Sequence, residues 1–192
     1  MDKFLKNLAS ESPSPGGGAA AAVTGALGTA LVAMVARINS GREEKKGQKI
    51  SAETKARIKE LDKIRASFLS KMAEDTKAFL ALSKFSKEQR ESAAYEKAVQ
   101  KASGVPLEMC ELSLKALKLA KNELGRTSRW LLSDLSEAGI LLRAAFDSAR
   151  LNVEVNLRIS KNDNFVRERR AHLEKLGQDV HESANELVKA FG

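Results

Sequence analysis

The chain has 192 residues, with 33 Lys and Arg against 25 Asp and Glu for a formal charge of +8, 43% apolar residues and three prolines. That length predicts one domain with a sizeable core, and the apolar fraction excludes a disordered tail or a collagen-like chain. Aromatic residues supply only 5%, which beside abundant Ala, Leu, Lys and Glu points to helices packed through small side chains rather than to a sheet.

A short amphipathic helix is expected from Lys3 to Ala9, followed by an irregular stretch from Ser10 to Gly18 in which prolines and glycines forbid regular structure. From Ser12 to Ala36 no side chain is charged, and Ala19 to Ala36 is about long enough to cross a bilayer. Eight alanines, Gly25 and Gly28 against two leucines make its transfer energy poor, so a buried helix of a soluble bundle is the expectation and a membrane span is not. A cleaved signal peptide fits worse, because Asp2, Lys6 and Glu11 bracket the start. Gly25 and Gly28 each cost a helix about 1 kcal/mol relative to alanine, which predicts close approach of a neighbour at their faces. Asn39-Ser40-Gly41 is expected to end this helix, leaving a mobile charged segment from Arg42 to Lys49.

The next helix is predicted from about Ser51 to Ser83, with Ile58, Leu61, Ile64, Phe68, Met72, Phe79 and Leu82 at mostly helical spacing. Ser86-Lys-Glu-Gln89 has a capping-box pattern that should open a shorter helix through Ala102. Gly104 and Pro106 should break the chain, with Pro106 in the first turn of a helix through Leu124. A connection from Gly125 to Arg129 precedes a helix from about Leu131 to Ile159, and a last helix runs from Asp163 to Phe191. Strand patterns are absent, so the expected fold is an all-α compact bundle of about six helices, one domain over residues 1–192.

Cys110 stands alone, which fits a reducing compartment and predicts a cytoplasmic protein. His172 and His181 are nine positions apart on one helix, hence on opposite faces, and build no paired-histidine metal site.

Three features carry possible chemistry. Pro15-Gly16-Gly17-Gly18 directly precedes a helix, where unpaired N–H groups and the positive dipole end favour an anion or carbonyl oxygen; by itself the pattern better suits a plain tight turn. Neither a phosphate-loop lysine nor the dinucleotide glycine pattern accompanies it. Asp134 and Asn152 are eighteen positions apart, five full turns, so they share one stripe of their helix about 27 Å apart along the axis. Asn156 lies one turn beyond Asn152. For the asparagines the plain alternative is buried amides bonding neighbouring backbone, and Asp134 with Ser133 also suits a helix start. Asp75, on the long helix, would otherwise be an ordinary solvated carboxylate.

Leu8-Ala-Ser10 with Pro13-Ser-Pro-Gly-Gly-Gly18, Gly25-Ala-Leu-Gly28, Met34-Val-Ala36, Asp75 to Phe79, Val105-Pro-Leu-Glu108, Ser133-Asp134 and Asn152-Val-Glu-Val-Asn156-Leu157 occur in that order across nearly the whole chain. This succession resembles the cyclodeaminase/cyclohydrolase family of folate enzymes. The chain departs from the family's pattern at Ala19, at Gly41 to Lys46 and at Gly125 to Leu132. The resemblance implies an all-helical homodimer acting on a tetrahydrofolate-linked one-carbon group, with no cofactor beyond that substrate and no metal. Carried onto this chain, it makes Asp75 and Asp134 the candidate catalytic carboxylates. Pro15, Gly16, Gly17, Gly18, Arg42, Ser133, Asn152 and Asn156 become candidate substrate-binding residues, with Arg42, Lys45 and Lys46 attracting a polyglutamate tail.

The implied reaction is hydrolysis of 5,10-methenyltetrahydrofolate to 10-formyltetrahydrofolate. Cyclodeamination of formiminotetrahydrofolate, with loss of ammonia, is the alternative at the same centre; hydrolysis is favoured because no formiminotransferase domain accompanies the chain. A third expectation, of another class, is an inactive basic helical module. Nucleic acid is a poor partner for it, because acids intersperse the basic residues and aromatic stacking surfaces are scarce.

Overall fold

The computed structural model describes residues 1–192. Six α-helices make up the fold: α1 (Asp2–Leu8), α2 (Gly17–Lys45), α3 (Ala52–Ser83), α4 (Ala93–Lys121), α5 (Arg129–Leu157) and α6 (Asp163–Lys189), as the expected all-α bundle requires. Short 3-10 turns at Glu88–Glu91 and Leu124–Arg126 lead into α4 and α5.

The uncharged helix α2 lies between α3 and α5, antiparallel to α5, and its glycines explain how closely. A Cβ on Gly25 would lie 2.5 Å from Cζ of Phe68 on α3, and one on Gly28 would lie 2.9 Å from Cγ of Leu142 on α5. Phe68 and Leu142 are both fully buried, so each glycine is the recess into which a large side chain of a neighbouring helix fits. Gly139 on α5 receives Leu187 of α6 in the same way, at 3.1 Å. By length and composition α2 alone could cross a membrane, yet 61% of its most apolar stretch is buried against the other helices.

Three local expectations are corrected. Helix α2 does not end at Asn39-Ser40-Gly41 but continues through Arg42 to Lys45. Its stop is Gly47, with φ +77°, where the Gly47 N–H donates to the Glu44 carbonyl and the Gln48 N–H to the Glu43 carbonyl. The extra turns are held from the side: Arg126 donates twice to the Glu43 carboxylate, at 2.9 and 2.6 Å, and buried Asn39 donates to Glu123 at 2.9 Å.

Gly104 and Pro106 do not break the chain either. They lie inside α4, which spans Ala93–Lys121 without interruption. Ala102, Val105, Leu107, Met109 and Cys110 are buried along this stretch, so packing outweighs the ~3 kcal/mol cost of an interior proline. Finally, the reciprocal Ser86–Gln89 bonds form, the Ser86 N–H donating to Gln89 Oε1 at 2.9 Å and the Gln89 N–H to the Ser86 hydroxyl at 3.4 Å, but they lead only into the 3-10 turn. The α4 start is Ser92, whose hydroxyl accepts from the Tyr95 N–H.

Helix α6 is clamped by both histidines. His172 pairs with Glu111 of α4 at 2.9 Å and His181 with Asp147 of α5 at 3.1 Å, which is the opposite-face placement their spacing requires.

Candidate functional site

At one end of the bundle the N-terminus of α2 meets the middle of α3 and the last turns of α5. Gly16 caps α2 without any side-chain bond, and the N–H groups of Gly17, Gly18 and Ala19 precede the first intrahelical donor, Ala20, whose N–H reaches the Gly16 carbonyl. Gly17 faces Asn152, with space for an ordinary contact: a Cβ there would lie 3.6 Å from Nδ2. Gly18 faces Asp75 with no such space, since even the farther carboxylate oxygen, Oδ1, would lie 2.6 Å from a Cβ. Glycine at this position therefore lets a carboxylate from α3 rest on the backbone at the positive end of α2.

A cleft of about 260 Å³ opens here, walled by Gly16 to Gly18, Asp75, Thr76, Phe79, Asn152 and Asn156, with Ala102 of α4 behind and Pro13 and Ser14 over one edge. The covering loop is tied down by Ser14, whose hydroxyl donates to Thr76 Oγ1 at 3.1 Å. Asp75 is half-buried, forms no ion pair or hydrogen bond, and is pushed above the ordinary carboxylate range by desolvation. Asn152 donates its Nδ2 to the Ser148 carbonyl at 2.8 Å and Asn156 donates to the Asn152 carbonyl at 3.1 Å. Each amide is thereby oriented with its Oδ1 unbonded, an acceptor available to a ligand N–H. Phe79, 44% exposed, adds an aromatic face.

Chemically, the cleft combines a proton-accepting carboxylate of raised pKa, two oriented carbonyl acceptors, a helix N-terminus and one ring. That set suits a flat heterocycle bearing N–H donors, with a base beside its reacting atom.

The sequence expectations divide between the two ends of the bundle. Gly16, Gly17, Gly18, Asp75, Asn152 and Asn156 converge on the cleft, while Pro15 shapes the turn without lining it. Arg42, Ser133 and Asp134 do not join them. Asp134 sits about 27 Å along α5 from Asn152, and Arg42 sits about 37 Å along α2 from Gly17. Arg42 donates to the hydroxyl of Ser128, the α5 cap, at 2.6 Å, and Ser133 donates to the Trp130 carbonyl at 3.2 Å. Within one chain the cleft therefore holds Asp75 alone of the two candidate carboxylates. The antiparallel course of α2 and α5 is the reason, because it carries their far ends to the opposite pole.

Thr76, Phe79 and Ala102 line the cleft as well, beyond the residues expected from the sequence. For Phe79 a signal existed, since it lies one turn from Asp75 on the same helix face; nothing local marks Ala102.

That opposite pole holds a second polar cluster, built from residues far apart in sequence. Glu123, 1% exposed, accepts from Asn39 at 2.9 Å, from Arg126 at 3.3 Å and from Arg57 at 3.4 Å, and so ties α2, α3 and the α4–α5 connection together.

Comparison with known proteins adds an independent line. The profile of the formiminotransferase-cyclodeaminase family matches residues 1–175. A methenyltetrahydrofolate cyclohydrolase of Methylorubrum extorquens is 33% identical over 201 residues, spanning 99% of this chain and 96% of that protein. The formimidoyltransferase-cyclodeaminase of Rattus norvegicus is 29% identical over 190 residues, covering 94% of this chain but 35% of that longer protein. Among solved structures, the formiminotetrahydrofolate cyclodeaminase of Thermotoga maritima is alike in fold, with a TM-score of 0.88 over 100% of this chain and 94% of that chain at 22% identity.

Proposed function

This chain belongs to the formiminotransferase-cyclodeaminase family of folate one-carbon enzymes, and from that premise we propose that it hydrolyses 5,10-methenyltetrahydrofolate to 10-formyltetrahydrofolate. The observation that carries the reading is Asp75, an unpaired carboxylate whose proton affinity is raised by burial, resting on Gly18 inside the cleft. The near full-length likeness to a cyclohydrolase supports hydrolysis over ammonia release.

The methenyl carbon between N5 and N10 is already a cation, so the chain must deliver water and handle protons rather than create an electrophile. Asp75 takes a proton as water adds to that carbon, and its negative charge steadies the cation beforehand. The resulting carbinol then collapses. The bond from carbon to N5 breaks, N5 receives the proton held by Asp75, the hydroxyl proton leaves to solvent, and the formyl group remains on N10. One water is consumed and one proton released overall. The Oδ1 atoms of Asn152 and Asn156 accept from N–H donors of the pterin, Phe79 stacks on its ring, and the N–H groups at the start of α2 bind its carbonyl oxygen.

A homodimer is part of the proposal. Leu27, Met34 and Ile38 of α2 and Ile140, Leu151 and Val155 of α5 are 36–65% exposed, and these helices are neighbours, so their outer sides form one apolar face of the kind partners cover. Val155 belongs to both this face and the cleft. End-to-end reversed pairing of two such faces, about an axis crossing α5 near Arg143, would set Asp134 of a second copy opposite Asn152. That is the arrangement in which Asp134 keeps a role in catalysis. The lone buried Cys110, with its thiol pushed well up by desolvation, suits the reducing cytoplasm proposed for the protein.

The test is decay of the near-ultraviolet absorbance of methenyltetrahydrofolate, with ammonia release from formiminotetrahydrofolate measured in parallel. Absorbance loss faster than in buffer, without ammonia release, is expected. Equal rates with and without protein refute the hydrolase reading, and ammonia release at a higher kcat/KM replaces it by cyclodeamination.

A further inference from the structure

The cleft is too small for an entire folate. At about 260 Å³ it falls below the ~300–1,000 Å³ of sites that enclose drug-sized ligands, and it fits the ring system rather than the benzoyl-glutamate arm. Within one chain the arm must leave along the surface, because Arg42, Lys45 and Lys46 stand at the far pole of α2; the reversed pairing proposed above would bring that pole of a second copy toward the cleft, a route the Arg42→Ala variant tests.

A second groove of about 310 Å³ lies between α3 and α4 and shares Ala78 and Ala102 with the cleft. Its floor is made of small side chains, including Ala81 and Ala98, which leaves a shallow slot open to a flat ring. Lys77 and Lys101 line it from the two helices. Neither ammonium is within ion-pair distance of any carboxylate, in contrast to Lys71 and Lys115 nearby. Glu74, the one acid on the groove, is already held by Lys71 at 2.7 Å, and Lys71 also holds Glu108 at 2.5 Å. The groove therefore presents net positive charge to whatever enters it.

We propose that the α3–α4 groove seats the benzoyl-glutamate arm of the folate, with its ring over the small side chains of the floor and Lys77 and Lys101 pairing with its carboxylates. The inference rests on the folate reading of the cleft and fixes the direction in which the ligand lies, from Asn152 and Asn156 across Asp75 and out over Ala102. Added glutamates extend along the same positive surface, so polyglutamylated substrate binds more tightly than the monoglutamate.

The experiment compares kcat and KM for mono- and triglutamyl methenyltetrahydrofolate in wild type, in Lys77→Ala/Lys101→Ala and in Arg42→Ala, at low and high salt. Binding of p-aminobenzoylglutamate alone is measured by calorimetry. Both lysines are exposed, so the double variant folds, which a thermal melt verifies. Its KM should rise about tenfold for the monoglutamate and more for the triglutamate, with kcat retained, because the contacts hold ground and transition state alike. The difference from wild type should shrink at high salt, and the fragment should bind wild type but not the variant. Active wild type with an unchanged KM and fragment affinity in the lysine variant overturns the groove alone, as does transfer of the tail dependence to Arg42→Ala. Wild type inactive on both folates overturns the cleft reading, and the groove assignment falls with it.

Discussion

The adjacent glycines at the start of α2 allow the site geometry to be tested with one methyl group at a time. Alanine at 17 or 18 brings the same gain in helix propensity, so any difference between the two variants comes from what the new Cβ meets. At 17 it meets Asn152 at 3.6 Å, an ordinary contact. At 18 it meets the Asp75 carboxylate, with Oδ1 at 2.6 Å and the other atoms nearer, so against an ordinary contact of 3.4 Å the group must retreat by ~0.8 Å or more. Asp75 has no bond to hold it and one face toward the cleft, so it swings aside and the fold survives. A base displaced by about 1 Å costs about 10²-fold in rate, or ~2.7 kcal/mol of transition-state stabilisation. Gly18→Ala should therefore melt within a few degrees of wild type while kcat for methenyltetrahydrofolate falls about 100-fold, and Gly17→Ala should keep kcat within about threefold. The assay is initial-rate absorbance decay, with melting followed by circular dichroism. Equal activity in the two variants would refute the placement of Asp75 as the base beside the α2 terminus.

The remaining predictions concern pH, the dimer and the polar cluster. Because burial raises the Asp75 pKa, the folded chain binds more protons than the unfolded one between the ordinary and the raised value, so stability falls as pH rises through that window and stays lower above it. Asp75→Asn should then unfold at higher denaturant than wild type at pH 7, yet turn over slowly and lose the acidic limb of the rate profile, which in wild type lies above the usual aspartate pKa of about 3.9. Leu151→Glu, at a position 65% exposed on the apolar face, should convert a dimer into monomers by sedimentation velocity without lowering helicity. Mixed Asp75→Asn and Asp134→Asn chains, each slow alone, should recover activity in hybrid dimers, whereas no recovery would remove Asp134 from the cleft. Glu123→Ala leaves Arg57 and Arg126 facing each other across a buried gap and should cost about 3 kcal/mol in urea titration, with Glu123→Gln costing less.

The sequence alone determined the helical class, the buried character of α2 and most helix limits, because these follow from periodicity, composition and capping within a few residues of chain. Helix α3 starts at Ala52 and α6 at Asp163, within a residue of the expected limits. The glycines of α2 announced close neighbours without saying which. Only the folded chain shows that Gly25 receives Phe68 and that Gly18 receives Asp75, contacts across 43 and 57 positions. Where local rules and packing compete, packing decided: Gly41 and Pro106 lie inside helices because Asn39, Glu43 and the buried flank of α4 have partners far away in sequence. The division of the site is of the same origin. Asp75, Asp134, Arg42 and the asparagines all fit one chemistry as residue types, but the antiparallel run of α2 and α5 sends Asp134 and Arg42 to the opposite pole, and the α3–α4 contact brings Lys77 and Lys101 beside the cleft. Spacing along one helix fixes a face and an axial distance, whereas which ends of different helices meet is set by how their small residues interlock.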